Sequence, residues 1–321
     1  MRLVEALEEY LALRRALGFV LDAPCRVLHR FVAYAEHEGA SSITTDLALK
    51  WAMQPDCQPA QWANRLSMVR RFARYMSALD ARTEIPPDGL LPHRFRRKRP
   101  YIYTDKEITH LIGAAQNLPS PLGLRAATYS TLLGLLAVTG MRVSEPVALD
   151  RDDIDLTRGI LIIRRTKFGK SRMLPLHATT VEALRHYHKL RDRVFRNTKS
   201  FFVSERGTRL TTWSVRKTFI LLSRQIGLRG PDDSHGPRIH DLRHRFAIET
   251  LLSWYRAGID VEWRMPELSA YLGHVHVTDI YWYISAVPEL LQLATLRLEQ
   301  RGGGYDEDQR RLPLLAPGIL Q

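Results

Sequence analysis

Two short stretches concentrate the residues able to act on a phosphate. Pro237-Arg-Ile-His-Asp-Leu-Arg-His-Arg-Phe246 supplies His240, Arg243 and His244, and Tyr271-Leu-Gly-His-Val-His-Val-Thr-Asp-Ile-Tyr-Trp-Tyr283 supplies His274, His276, Tyr281 and Tyr283. An arginine presents a planar fork of donors to an anion, an imidazole donates to it or moves protons at neutral pH, and a tyrosine hydroxyl can attack phosphorus. The same residues allow a second chemistry. His240 and His244 stand four apart, as helical zinc ligands do, and His274, His276 and Asp241 are available to complete a site. Against it, Arg243 lies between the pair, and no glutamate fills the base position of the zinc-protease motif. Cations would then gather where a metal already supplies charge. We therefore expect no metal.

The elements around these residues must hold them. Ile239, Leu242 and Phe246, then Leu268, Tyr271 and Leu272, recur at helical spacing, so the polar groups project from helix ends onto one wall. Upstream, a helix from about 122 to 138 is apolar nearly all round and ends at Thr139-Gly140, which places Arg142 at the break that follows. Its plain alternative is a surface arginine paired with Glu145. Residues 159–165 are β-rich, 166–170 turn and 171–176 return, a hairpin with Lys167 near its tip. Thr104-Asp-Lys-Glu107 is a capping box opening another helix. Further helices are expected at about 179–193 and 212–226, with a short strand at 201–204 between them. Beyond Tyr283, Leu290, Leu291, Leu293, Leu296 and Leu298 read as one helix continuing to Arg301.

The first part of the chain is helical as well. Leu3, Leu7, Leu11 and Leu17, then Val27, Leu28, Phe31 and Tyr34, give two amphipathic helices around a turn at Asp22-Ala-Pro24. A third helix spans about 46–53 and a fourth about 59–79. The fourth carries Arg65, Arg70, Arg71 and Arg74 mostly away from its apolar side, a stripe that either tracks a phosphate backbone or is a solvated face. Three prolines and then a basic run including Arg96, Arg97, Lys98 and Arg99 mark a linker. The expected division is a helical DNA-binding domain at 1–85, a basic linker at 86–102, a catalytic domain at 103–301 and a tail at 302–321.

Composition narrows the partner. Lys and Arg number 47 against 34 Asp and Glu in 321 residues, a formal charge of +13, and the pI is near 10.0. That excess is the electrostatic footprint of a protein that meets nucleic acid, although solvation alone also accommodates it. There is no apolar run long enough to span a membrane, and the Met1-Arg-Leu-Val-Glu start lacks a signal-peptide core, so a cytoplasmic protein is expected. Cys25 and Cys57 are too few for a disulfide framework and read as small core residues.

Arg142 in Thr-Gly-Met-Arg-Val-Ser-Glu, Lys167, His240-Asp-Leu-Arg243, Leu272-Gly-His274 and a following tyrosine together resemble the tyrosine recombinase (phage integrase) family, over about Tyr103 to Leu298. Each box alone is weak; the ordered set is specific. The resemblance implies a mainly α (α+β) fold, with a helical core-binding domain preceding a mostly helical catalytic domain that holds a small antiparallel sheet. It implies site-specific DNA recombination through a 3′-phosphotyrosyl intermediate, in integration, excision or resolution of a mobile element, without ATP. Arg142 and Arg243 then bind the scissile phosphate, Lys167 protonates the leaving 5′ oxygen, and His240 and His274 hydrogen-bond the phosphate or help move the nucleophile's proton.

On a helix Tyr281 and Tyr283 point about 200° apart, so only one faces the phosphate. The family's tyrosine aligns without a gap on Tyr283, with Tyr281 in reserve, in surroundings that depart from the commoner Thr-Thr-x-x-Tyr. Implied partners are duplex DNA clamped by both domains, a dimer on one site and a tetramer in the synapse, accessory DNA-binding proteins, and a tail donated to a neighbouring protomer. A type IB topoisomerase shares this chemistry, and a zinc-dependent nuclease is the rival from another class.

Overall fold

The computed structural model of the chain describes residues 2–92, 99–164, 171–274 and 276–302. It divides into two compact units, Met1–Lys98 and Arg99–Gln321. The first is built from α1 (Leu3–Ala16), α2 (Asp22–His37), α3 (Thr45–Met53) and α4 (Pro59–Met76). Their apolar stripes close on a core including Leu7, Leu11, Phe31, Trp51, Val69 and Phe72. The residues Asp22-Ala-Pro24 begin α2 rather than turn the chain. Proline is tolerated in a first helical turn because its missing N–H has no partner to lose there. Cys25 and Cys57 are half-buried rather than core, and the Cys25 sulfur lies 3.5 Å from His29 Nδ1.

The second unit contains α5 (Asp105–Gln116), α6 (Leu124–Thr139), α7 (Ser144–Ala148), β1 (Ile154–Asp155), β2 (Ile160–Ile163), β3 (Arg172–Pro175), α8 (Ala178–Val194), α9 (Thr212–Gln225), α10 (Asp241–Arg256), α11 (Val261–Leu272), α12 (Thr278–Ala286) and α13 (Pro288–Gly302). The three strands pair antiparallel in the order β1-β2-β3. Leu161 lies opposite Leu174, and Ile163 opposite Arg172. The capping box forms as expected: Thr104 Oγ1 accepts from Glu107 N at 3.2 Å, and Glu107 Oε2 accepts from Thr104 N at 2.7 Å. α6 is buried on most sides within one core. A second core joins α10 to α13 through Ile248, Leu251, Leu268, Ile280, Tyr283 and Leu290.

Two further expectations are corrected. Residues 201–204 form no ladder; Val203 makes an isolated bridge with Arg209, and the preceding Ser200 one with Asp150. Phe201, Phe202 and Val203 are nonetheless buried, so β-like composition here serves packing. The C-terminal helix is also not continuous. Val287 is extended (φ −122°, ψ 114°) between α12 and α13, because a residue before proline is pushed out of the helical region and Pro288 follows.

Gly140 fixes how α6 meets the site. It ends α6 at φ 60°, and a Cβ added there would stand 2.6 Å from Phe246 Cδ1 and 3.1 Å from Leu272 Cδ2. Only glycine takes this conformation freely and lets the backbone approach α10 and α11 so closely.

Candidate active site

The site gathers at helix ends, where backbone carbonyls lack partners of their own. At the C-terminus of α11, His274 N donates to Ser269 O at 2.9 Å and Gly273 N to Ala270 O at 3.0 Å. Three arginines take the carbonyls that remain. Arg172 Nε donates to Tyr271 O at 2.8 Å, Arg243 Nη2 to Leu272 O at 2.8 Å and Arg142 Nη2 to Gly273 O at 2.9 Å. Arg243 Nη1 also donates to Gly140 O at 2.9 Å, at the end of α6. Cations at helix C-termini are favoured by the helix dipole as well as by these bonds, so the peptide chain itself gathers positive charge here.

One carboxylate organises the cluster. Arg172 reaches Glu145 with both terminal nitrogens, at 3.0 and 2.8 Å, and Arg142 donates to it from Nη1 at 3.1 Å and from its backbone N at 2.9 Å. Burial pushes the Glu145 carboxyl up, but Arg172 and Arg142 more than offset this and hold it below the usual carboxylate range. Arg243 is 2% exposed. Burial, reinforced by the charge on Arg142, lowers its pKa to about 10, so it remains a cation at neutral pH; the nearby Tyr283 hydroxyl and Glu145 act the other way. With three guanidiniums against one carboxylate, the cluster is a ready anion site. By the hydrogen bonds described, Arg142 and Arg243 each keep N–H donors to spare.

The histidines stay neutral around it. His274 Nε2 lies 3.1 Å from Arg243 Nη2, and its Nδ1 lies 3.3 Å from Asp279 Oδ2. Arginine can only donate, so Nε2 accepts and the ring proton sits on Nδ1 facing the carboxylate. His240 precedes α10, its ring 4.8 Å from that of His244. The protein packed around the rings first, and then neighbouring positive charge, lowers the partly buried His244 and His274 and the more exposed His240 each to about 4. An unfolded chain binds protons on these rings below 6.5 while the folded one does not until about 4. Stability is therefore fully present above 6.5 and declines as pH falls toward 4. Urea denaturation midpoints should drop between neutral pH and the middle of this window, and replacing any one of the three by phenylalanine should flatten the drop. An unchanged slope in all three variants would refute the account.

The two tyrosines part company. Tyr283 is 2% exposed, inside the second core, whereas Tyr281 is 52% exposed. The Tyr283 hydroxyl lies 3.2 Å from His244 Nδ1. Arg142, Arg243, His274 and, through its ring contact with His244, His240 therefore share one neighbourhood with Tyr283. Lys167 lies outside the described residues. Strand β3 is anchored at the site by Arg172.

The candidate DNA-contacting residues scatter. Arg70 is drawn inward, donating to Pro86 O at 2.6 Å and Pro87 O at 2.7 Å and pairing with Asp88 at 2.5 Å. These bonds tie the start of the stretch read as a linker onto α4. Arg65 lies over the Trp51 ring and donates to Trp51 O at 2.9 Å. Arg71, Arg74 and Arg99 are exposed; Arg96, Arg97 and Lys98 lie outside the described residues. Sequence reasoning missed Arg172 and Asp279. Strand alternation could have found the former, since Arg172 shares a face with buried Leu174 while Met173 between them is exposed. His276, offered to the metal reading, is exposed. Among the described residues, no three of His, Cys, Asp and Glu meet in a group that could hold a metal.

Residues 102–289 match the phage integrase family. The chain belongs to it. It is 48% identical over 304 residues to the protein named integrase/recombinase y4rB of Sinorhizobium fredii, covering 92% of this chain and 97% of the relative. It is 32% identical over 240 residues to the tyrosine recombinase XerD of Neisseria meningitidis, covering 72% and 74%. The Tn1549 transposon integrase, solved in complex with transposon right end DNA, shares the fold with a TM-score of 0.64 at 15% identity, covering 94% of this chain and 99% of that one. This is an enzyme that cleaves and rejoins DNA strands in site-specific recombination, on a mainly helical fold with a small antiparallel sheet.

Proposed function

We propose that this recombinase exchanges strands through Tyr283, on a phosphate held by Arg142 and Arg243, in the movement or resolution of a mobile element. The observation that carries this reading is the interlocked pair of guanidiniums at the ends of α6 and α11, with Tyr283 on the next helix close enough to Arg243 to favour its charge. The fixed forks neutralise the non-bridging oxygens as charge builds on the phosphorane. His274 accepts one Arg243 donor and so fixes the plane of that fork; His240 borders the same space. Tyr283 Oη bonds to phosphorus, the bond to the 5′ oxygen breaks, and Lys167 gives that oxygen its proton. The phosphotyrosyl ester keeps the bond energy, and a 5′ hydroxyl from another strand reverses the step.

Exchange between two duplexes cuts four strands, so four such sites are needed: a dimer on each DNA site and a tetramer at synapsis. The division into a DNA-binding region at 1–85, a linker at 86–102, a catalytic region at 103–301 and a tail at 302–321 is part of the proposal. So are DNA contacts from the basic residues of α4 and the 96–99 run, accessory proteins, and a cytoplasmic location. Among the described residues no helix is long and apolar enough to cross a membrane.

The test is incubation with randomised nicked duplexes in EDTA, followed by sequencing of DNA that stays attached after denaturation. One recurrent sequence, joined to protein through its 3′ end, is expected. Cleavage that leaves no adduct and needs added zinc would sink the proposal.

A further inference from the structure

Of the three histidines at the site, His244 is the one whose ring nitrogen meets the Tyr283 oxygen, and it belongs to none of the motif positions that mark the family in this chain. We propose that His244 is the base that takes the Tyr283 proton during strand cleavage. This rests on Tyr283 being the nucleophile.

The argument is geometric. His244 stands one turn into α10, with Nδ1 3.2 Å from Tyr283 Oη. Its ring is held on several sides: 4.8 Å from the His240 ring, 5.3 Å from Trp282 and 5.5 Å from Tyr283 itself. That packing limits ring rotation and keeps the nitrogen aimed at the hydroxyl. The other histidines are placed differently. His274 has one nitrogen against Arg243 and the other against Asp279, and His240 has no described hydrogen bond to Tyr283.

A base must be unprotonated before it acts. Burial, then the neighbouring His240, Arg238 and Arg243, holds His244 neutral at physiological pH, with Asp241 opposing them. Nδ1 is then free of a proton in the tautomer that carries hydrogen on Nε2, and the tyrosine donates to it.

In the step itself Oη bonds to phosphorus while its proton passes to Nδ1, and the bond from phosphorus to the 5′ oxygen breaks. The leaving oxygen takes its proton from Lys167. The phosphodiester's negative charge stabilises the imidazolium as it forms. In religation the attacking 5′ hydroxyl gives its proton to Lys167, and the imidazolium returns its own to the departing tyrosine.

Single-turnover adduct formation on a nicked recombination site tests the assignment. His244→Ala removes acceptor and base together. His244→Asn places an oxygen near the Nδ1 position, able to accept a hydrogen bond but not to keep a proton. Both should slow adduct formation by about 10²- to 10⁴-fold, the range for loss of a general base, with site binding by mobility shift unchanged. A substrate with bridging sulfur in place of the 5′ oxygen leaves without a proton. It should restore Lys167→Ala and leave both His244 variants slow.

An Ala variant within about threefold of the parent overturns the proposal. So does an Asn variant at parental rate, which reduces His244 to positioning, or rescue of either by sulfur, which moves it to the leaving group. Adduct that persists in Tyr283→Phe and vanishes in Tyr281→Phe instead overturns the choice of nucleophile. That result is distinct from a Tyr283 adduct indifferent to His244.

Discussion

Tyr283→Phe is expected to abolish the covalent protein–DNA adduct, and Tyr281→Phe to leave it within severalfold of the parent. The two side chains are separated by one residue of α12, yet their surroundings differ completely. Tyr283 is 2% exposed against 52% for Tyr281, has His244 Nδ1 at 3.2 Å and lies in the field of Arg243. Tyr281 instead neighbours Tyr255 of α10. Phenylalanine fills the same space and forfeits the hydrogen bond to His244, about 1 kcal/mol. Tyr283→Phe should therefore fold, bind DNA and fail at a single step. Denaturing electrophoresis of the trapped complex gives the answer, and peptide mapping of the parental adduct should place it at residue 283. Adduct surviving in Tyr283→Phe and lost in Tyr281→Phe would reverse the assignment.

The sequence made local features legible, and long-range pairings far less so. Thr104 and Glu107 announce a capping box because both partners lie within one turn, and Gly140 announces a helix end because one residue's conformation decides it. The hairpin followed from a β-rich run at 159–165, turn residues and a return at 171–176, and the strands Ile160–Ile163 and Arg172–Pro175 pair antiparallel. The two runs bearing His240, Arg243 and His274 were readable because each motif sits at a helix terminus.

What stayed hidden is the bonding between them. Glu145 joins Arg172 across 27 positions and His244 meets Tyr283 across 39, and no periodicity records such a pairing. Arg70 shows the opposite error. Its place on the polar side of α4 reads as outward, but Pro86, Pro87 and Asp88 fold back to meet it. At 201–204 composition was misleading, since Phe201 and Phe202 are buried against Tyr187 and not paired in a sheet.

Arg243→Met should lower adduct formation by about 10²- to 10³-fold, the cost of removing one preorganised donor to a developing oxyanion, while changing unfolding free energy by no more than about 2 kcal/mol. The second half decides why the arginine is there. Its bonds to Gly140 O and Leu272 O satisfy the ends of two helices. Losing them leaves carbonyls wanting a donor, at about 1–3 kcal/mol each. Against that, burial and Arg142 pull the guanidinium from 12.5 to about 10, roughly 3 kcal/mol set against the charged form. Methionine ends that cost and fills much of the volume. The opposing contributions are of similar size, so folding should hardly notice a substitution that disables the chemistry. Urea denaturation and single-turnover trapping on the same preparation measure both. A stability loss beyond about 4 kcal/mol with activity within tenfold would make Arg243 a clamp between α6 and α11. A large activity loss at near-constant stability assigns it to the phosphate.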